Sequence, residues 1–125
     1  MVLADTSVWI AHFRRPSLVL QSLAQTDQLL CHPLIVLELA CGTPPAPRER
    51  TLGDLKLLQT CALASTDEIF TLIEAQGLYD SGCGAIDLAL LAATLLTPNA
   101  LLWTLDKSLD ALALRLNVRF NPALH

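Results

Sequence analysis

The sequence predicts an α/β fold with a mostly parallel sheet, and three observations carry this prediction. Short apolar runs with the length of buried strands alternate along the chain with longer patterns of helical spacing. Gly, Pro and helix-capping residues separate the two kinds of segment. Hydrophobic residues make up 53% of the 125 positions and charged residues 16%, so the chain either buries an extensive core or exposes apolar surface to a partner. We expect one domain over residues 1–125.

Five strands are predicted, each short, apolar and followed by a turn or a helix. They cover residues 2–4, 28–32, 61–64, 100–105 and 118–120. Strands that alternate with helices form a parallel sheet with helices on both faces. Right-handed crossovers then place the carboxyl ends of the strands along one edge, where open α/β sheets bind their ligands.

The predicted helices begin and end at residues suited to those positions. Thr6 or Ser7 caps the first helix. Pro33 and Gly42 bound a helix that carries Glu38 near its middle. The other helices cover the region around 18–23, residues 48–59, a segment starting at 66, and residues 85–96 and 108–116. The helix that starts at 66 is expected to bury Ile69, Phe70, Leu72 and Ile73.

The composition disfavours several classes of protein. A net charge of −4 argues against broad electrostatic binding to nucleic acid. It does not exclude local contacts with phosphates, especially near bound cations. The most apolar stretch, residues 85–103, is interrupted by Asp87, Pro98 and Asn99 and is a poor membrane span. The N-terminus lacks the pattern of a secretory signal, so we expect a cytoplasmic protein without a membrane segment. The cysteines form no C-x-x-C or zinc-finger pattern and are expected to be reduced packing residues: Cys31, Cys41, Cys61 and Cys83.

Four acidic residues stand in unusual places. Asp5 follows the first strand and Asp106 the fourth, so both belong to the same edge of the sheet. Asp87 lies in the first turn of an otherwise apolar helix, where the helix N-terminus favours negative charge. Glu38 interrupts a run with the composition of a buried segment, and an isolated buried carboxylate is costly unless it is paired or binds a metal.

The surroundings of these acids favour a metal site. No basic residue lies within a helical turn of Asp5, Glu38 or Asp87. Several carboxylates without cations repel one another, and a hard divalent cation such as Mg²⁺ or Mn²⁺ removes this conflict. Ser7 and Thr104 are expected to add hydroxyl groups to the site.

Each acid taken alone also has a structural explanation. Asp5 and Asp87 could cap helices, and Asp106 could belong to a turn. Glu38 could face solvent. Only the combination of the four favours a metal site. Five basic residues could either be ordinary solvated side chains or contact RNA phosphates: Arg14, Arg15, Arg48, Arg50 and Lys107. A groove for an amphipathic partner helix and ordinary core packing are both possible roles for two sets of leucines: Leu18, Leu20 and Leu23, and the leucine stripe of Leu52, Leu55 and Leu58.

The sequence resembles the PIN-domain family, and most closely VapC-type toxin ribonucleases, in four blocks that occur in the family's order. The blocks are DTSVWI at 5–10, HP at 32–33 with ELACG at 38–42, GCGAID at 82–87 with LLAA at 90–93, and LWTLDK at 102–107. Any one block is a weak match, but four blocks across nearly the whole chain are specific. One departure is His12, where many relatives carry an acid.

The resemblance implies a three-layer α/β/α fold around a five-stranded parallel sheet, and a homodimer. It implies an endoribonuclease that hydrolyses RNA phosphodiester bonds as the toxin of a type II toxin–antitoxin system, inhibited by a cognate antitoxin. The residues that match the family's Mg²⁺- or Mn²⁺-binding acids are Asp5, Glu38, Asp87 and Asp106. Asp5 and Asp87 are the expected direct ligands. Glu38 and Asp106 could bind the metal directly or through water, or they could position the attacking water. The sequence does not decide between one metal ion and two.

Other function classes fit the residues less well. A receiver-like signalling domain needs an acidic pair after the first strand, where Asp5 stands alone. A phosphatase with an aspartate nucleophile needs D-x-D at that place, and no glycine-rich nucleotide-binding motif is present. The main alternative is a catalytically silent PIN-fold module that binds RNA or protein. The presence of all four acids weakens it.

Overall fold

A four-stranded parallel sheet with helices on both faces forms the centre of the computed structural model, which describes residues 1–124. The strands are β1 (Val2–Ala4), β2 (Leu29–Cys31), β3 (Gln59–Thr60) and β4 (Leu101–Trp103). They lie in the order β3-β2-β1-β4, and every neighbouring pair is parallel. The prediction of an α/β fold with a parallel sheet is therefore confirmed.

Seven α-helices and one short 3₁₀ helix surround the sheet within residues 1–124. The α-helices are α1 (Thr6–Arg14), α2 (Leu18–Gln25), α3 (Pro33–Cys41), α4 (Arg48–Lys56), α5 (Thr66–Gln76), α6 (Ala85–Leu96) and α7 (Lys107–Arg115). The 3₁₀ turn covers Pro122–Leu124. None of the helices in this part of the chain is long and apolar enough to cross a membrane.

The helices contact one another in two groups that match the two faces of the sheet. Helix α1 packs on α3 and α3 on α4, whereas α5 packs on α6 and α6 on α7. This grouping is expected for the strand order, because right-handed crossovers from β1 to β2 to β3 use one face and the return to β4 uses the other. Leu3 and Leu102 are paired between β1 and β4 at the centre of the core, and both are fully buried.

The position of β1 explains where the acids meet. The chain leaves β1 towards β2 on one side of the sheet and later returns to form β4 on the other side. At such a change of direction the loops after the strands diverge and leave a crevice outside their carboxyl ends. Asp5 directly follows β1, and its backbone N–H donates to the carbonyl of Trp103 at the end of β4 (3.0 Å).

The prediction of a fifth strand at 118–120 is wrong, because this segment pairs with β4 only through one bridge between Leu102 and Arg119. Two backbone hydrogen bonds join the segment to Leu102. Asn117 before it has a positive φ of 61°, and Pro122 after it lacks an N–H group. A turn on each side therefore leaves no room for a longer ladder.

The third strand lies earlier than the predicted 61–64. Cys61 still donates its N–H to Cys31 in β2, but the N–H of Ala62 donates to the side chain of Thr97 and so leaves the sheet (2.9 Å). The helix predicted over 48–59 ends at Lys56 for the same reason, since the residues that follow are needed for β3. Phe70 on α5 was expected to be buried and is 65% exposed.

Candidate functional site

Asp5 is the most enclosed of the four acids. Its side chain is 5% exposed and caps α1, since Oδ1 accepts a hydrogen bond from the N–H of Val8 (3.2 Å). The hydroxyl of Ser7 donates to the same oxygen (2.5 Å), and the hydroxyl of Thr104 donates to Oδ2. The expectation that Thr6 or Ser7 caps the helix is thus wrong. Asp5 is the cap, because it is the residue with extended backbone before the first turn.

Burial and hydrogen bonding act on Asp5 in opposite directions. Removal from water raises the pKa of the Asp5 carboxyl above its usual 3.8, because burial disfavours the charged form. The hydrogen bonds from Ser7, Thr104 and Val8 lower the pKa, but they offset burial only in part. The buried carboxylate is therefore fixed in orientation and carries an uncompensated electrostatic cost.

The two predicted hydroxyl residues also connect Asp5 to Asp106. The hydroxyl of Thr104 accepts from the N–H of Asp106 (3.0 Å), and the hydroxyl of Ser7 accepts from the N–H of Leu105 (3.0 Å). Asp106 is exposed and caps α7 through a hydrogen bond from the N–H of Leu109 to Oδ1 (2.9 Å). Ser7 and Thr104 therefore join the ends of β1 and β4, and so fix the distance between the two acids.

Glu38 reaches the site from the middle of α3. The hydroxyl of Thr6, at the start of α1, donates to its Oε1 at 2.6 Å. Both side chains are partly buried where α1 packs on α3. The sequence predicts Thr6 only as a possible helix cap and does not predict this contact. The available clue was position, because Thr6 lies next to a site acid at a helix start.

Asp87 lies in the first turn of α6 and is influenced by all three other acids. Burial raises the pKa of the Asp87 carboxyl above 3.8, and a hydrogen bond from the backbone of Gly84 lowers it. The negative charges of Asp106, Asp5 and Glu38 raise the pKa further. The fold thus brings Asp5, Glu38 and Asp106 within electrostatic range of Asp87.

The donor set suits a hard divalent cation, although the side chains are not yet arranged as ligands. All four groups offer carboxylate oxygens, which Mg²⁺ and Mn²⁺ prefer. The one ion pair among residues 1–124 joins Arg119 to Asp110, so none of the four acids has a basic partner there. In the same part of the chain no three His, Cys, Asp or Glu side chains are placed to hold one metal ion. A cation bound by three of these groups would therefore need at least one carboxylate to move from its position in this structure.

The basic residues near the site differ in their contacts. Arg48 donates to the backbone carbonyls of Ala40 (2.6 Å) and Gly42 (3.2 Å), and so caps the end of α3. Arg14 is exposed and lines a groove of about 500 Å³ between α1 and α3 that Glu38 also lines. No side chain within residues 1–124 forms an ion pair or hydrogen bond with the Arg14 guanidinium. Arg14 is therefore the basic residue free to contact a ligand beside Glu38.

The raised pKa values predict a pH dependence of stability. The folded state holds more protons than the unfolded chain between pH 3.8 and the raised pKa values of Asp5 and Asp87. The free energy of unfolding that these groups contribute therefore falls as pH rises through this window and stays lower above it. Thermal unfolding in EDTA, followed from about pH 4 to about pH 7, measures this fall.

The variant Asp87→Asn is the control for that measurement, because it removes one of the two titrating groups. We expect its stability to fall less over the same pH range. An unchanged slope in Asp87→Asn would contradict the assigned repulsion among the acids. Added Mg²⁺ or Mn²⁺ should restore stability to the parent protein at the upper end of the range, since a ligand of the folded state stabilises it.

Comparison with known proteins identifies the family. The chain is 40% identical over 111 residues to Ribonuclease VapC32 of Mycobacterium tuberculosis strain H37Rv, and the match covers 89% of each chain. The same identity and coverage hold for Ribonuclease VapC32 of Mycobacterium tuberculosis strain CDC 1551 / Oshkosh. No protein-family model matches this chain. The similarity nevertheless extends over nearly the whole length of both proteins, and we conclude that the chain belongs to the VapC-type PIN toxin ribonuclease family.

Proposed function

We propose that this protein is a metal-dependent endoribonuclease and the toxin of a type II toxin–antitoxin system. The observation that carries the proposal is the cluster of Asp5, Glu38, Asp87 and Asp106 at the carboxyl edge of the sheet, without a basic partner among residues 1–124. The relatives named as ribonucleases support RNA as the substrate. The assignment of residues 1–125 to one PIN-like domain and a cytoplasmic location stay predictions.

The proposed cofactor is Mg²⁺ or Mn²⁺. Asp5 and Asp87 would bind it directly, and Glu38 and Asp106 directly or through water. A divalent cation in such a site supplies an activated water and offsets the charge that develops on the phosphoryl group. The raised pKa of Asp87 supports this assignment, because a bound cation would reverse the repulsion that causes part of the shift.

The protein side chains have separate roles in the proposed reaction. Asp5 is fixed by Ser7 and Thr104, so its carboxylate keeps one orientation while substrate binds and leaves. Asp106 is exposed, and where it does not bind the cation its carboxylate would accept a hydrogen bond from the attacking water. In the proposed hydrolysis, attack of this water on phosphorus would break the bond to the 3′ oxygen, the water would lose a proton to solvent, and the leaving 3′ oxygen would take up a proton from solvent. The products are a 3′-hydroxyl end and a 5′-phosphate end.

RNA and a cognate antitoxin are the proposed partners, and we assign a different groove to each. The groove beside Glu38 holds the Arg14 guanidinium, which forms no ion pair or hydrogen bond within residues 1–124 and would contact an RNA phosphate despite the net charge of −4. A second groove of about 390 Å³ between α3 and α4 is lined by the leucine stripe of Leu52, Leu55 and Leu58. An apolar groove of this kind suits an amphipathic antitoxin helix. A homodimer is the proposed assembly.

The activity test is cleavage of RNA by the purified protein. We expect cleavage in Mg²⁺ or Mn²⁺, complete loss in EDTA, and recovery when the cation is added in excess, because four clustered carboxylates need a cation to bind a phosphate. Product ends are identified by labelling, and 5′-phosphate ends are expected. Cleavage that continues unchanged in EDTA, or products with 2′,3′-cyclic phosphate ends, would exclude the proposed mechanism.

A further inference from the structure

The contact between Thr6 and Glu38 has no role in the function described so far. The hydroxyl of Thr6 donates to Oε1 of Glu38 at 2.6 Å across 32 residues of sequence. Within residues 1–124 no donor contacts the second oxygen, Oε2. One oxygen of the carboxylate is therefore held by the protein and the other is left for a ligand.

Three successive residues at the start of α1 take part in the acid cluster in different ways. Asp5 is itself a site acid, and Ser7 donates to it. Thr6, between them, points to the neighbouring helix α3 and donates to Glu38. The hydroxyls of Ser7 and Thr6 thus orient the carboxylates of Asp5, which follows β1, and of Glu38 on α3, while both hydroxyl residues belong to one turn of α1. This turn places the two carboxylates relative to each other.

A carboxylate on a long side chain needs such a constraint. Glu38 is partly buried in the middle of a helix, and a Glu side chain has several rotamers that would carry its charge away from Asp5 and Asp87. A hydrogen bond to an ionised carboxylate is among the stronger kinds in proteins, and it selects the rotamers in which Oε1 lies near Thr6. Partners of metal-binding carboxylates commonly act in this way.

We propose that Thr6 is a positioning residue that holds Glu38 in the rotamer needed to bind the divalent cation. The proposal rests on the proposed metal-dependent function of the same site. A purely structural role, in which the hydroxyl only joins α1 to α3, is the competing explanation. It predicts a change in stability without a change in the affinity for metal.

The test measures Mn²⁺ binding by isothermal titration calorimetry and electron paramagnetic resonance, in addition to RNA cleavage. Thr6→Val keeps the β-branched shape and removes the hydroxyl, and we expect Mn²⁺ affinity to fall by about 10- to 100-fold. Thr6→Ser keeps a hydroxyl and should stay close to the parent. Thr26→Val is the matched control, because it removes a hydroxyl that donates to the carbonyl of Ser22 on α2. Its Mn²⁺ affinity should not change.

A double-mutant cycle separates positioning from structure. Once Glu38→Ala has removed the partner, Thr6→Val should cause little further loss of Mn²⁺ affinity, because the two residues act through one interaction. An equal loss in both backgrounds would overturn the proposal, and so would parent-like Mn²⁺ binding by folded Thr6→Val. Thr6→Ala is a second hydroxyl-free variant. If neither variant folded, the contact would be structural and the proposal would be wrong.

Mn²⁺ binding and RNA cleavage by the parent protein distinguish failure of this proposal from failure of the function on which it rests. A parent that neither binds Mn²⁺ nor cleaves RNA would refute the metal-dependent function, and the role of Thr6 with it. A parent that does both, with parent-like binding in folded Thr6→Val, would refute only the role of Thr6.

Discussion

Asp5→Asn is expected to abolish RNA cleavage and leave the fold intact. The change keeps the shape of the side chain but removes the charge of an expected direct metal ligand. Outer-shell partners of metals already contribute about 10- to 100-fold, so loss of this ligand should lower kcat/KM by more than about 100-fold. Thermal stability in EDTA should be unchanged or higher, because burial raises the pKa of Asp5 and a neutral amide avoids that cost.

The matched control is Asp110→Asn, which removes a carboxylate of the same type outside the site. Asp110 pairs with Arg119 at 2.9 Å, and both side chains are partly exposed, so a small effect on stability and none on cleavage is expected. Expression in a bacterial host gives a second readout, since growth arrest by the parent and not by Asp5→Asn would show a toxin that acts through its nuclease site. Cleavage by Asp5→Asn at the parent rate would show that the four-acid site is wrong.

Leu91→Ala is expected to cause the largest loss of stability. Leu91 is fully buried in the centre of α6, which contacts α5, α7 and β4. Truncation of such a leucine costs about 2.7–5 kcal/mol of unfolding free energy, because transfer energy is lost and a cavity remains. Because α6 also carries Asp87, RNA cleavage should become more sensitive to temperature. Urea denaturation of the parent and the variant measures the difference.

Leu114→Ala on α7 is the control for this prediction. Leu114 is 62% exposed, so the same change in chemistry should alter the free energy of unfolding by less than about 0.5 kcal/mol. Similar losses in the two variants would mean that α6 does not lie at the centre of the core.

The fold class was predictable because the strongest features of the sequence are local. Residues 2–4 are aliphatic and form β1 as expected. The segments 61–64 and 118–120 have the composition of strands, but their pairing depends on distant partners. Ala62 leaves the sheet because Thr97, 35 residues away, offers a hydroxyl to its N–H. No pattern near Ala62 contains that information. The turns that shorten 118–120 instead lie at neighbouring residues, Asn117 and Pro122.

The four acids of the candidate site could be singled out from the sequence for a different reason. A carboxylate after a strand or inside an apolar helix conflicts with its surroundings, and this conflict is visible in the sequence without the fold. Thr104 was also predictable, since it lies two residues before Asp106. Thr6 was missed because a hydroxyl at a helix start is ordinary. Its importance appears only when α1 and α3 are placed side by side.

The form of the two sheet edges limits one route by which this leucine-rich chain could aggregate. At one edge β3 has only two residues, Gln59 and Thr60, both polar and exposed. At the other edge the segment 118–120 covers part of β4 and then turns away. Neither edge presents a long row of free backbone groups on which a second chain could add as a strand. Self-association that begins from residues 1–124 is therefore directed to the helices, where Leu18, Leu37 and Leu114 are exposed.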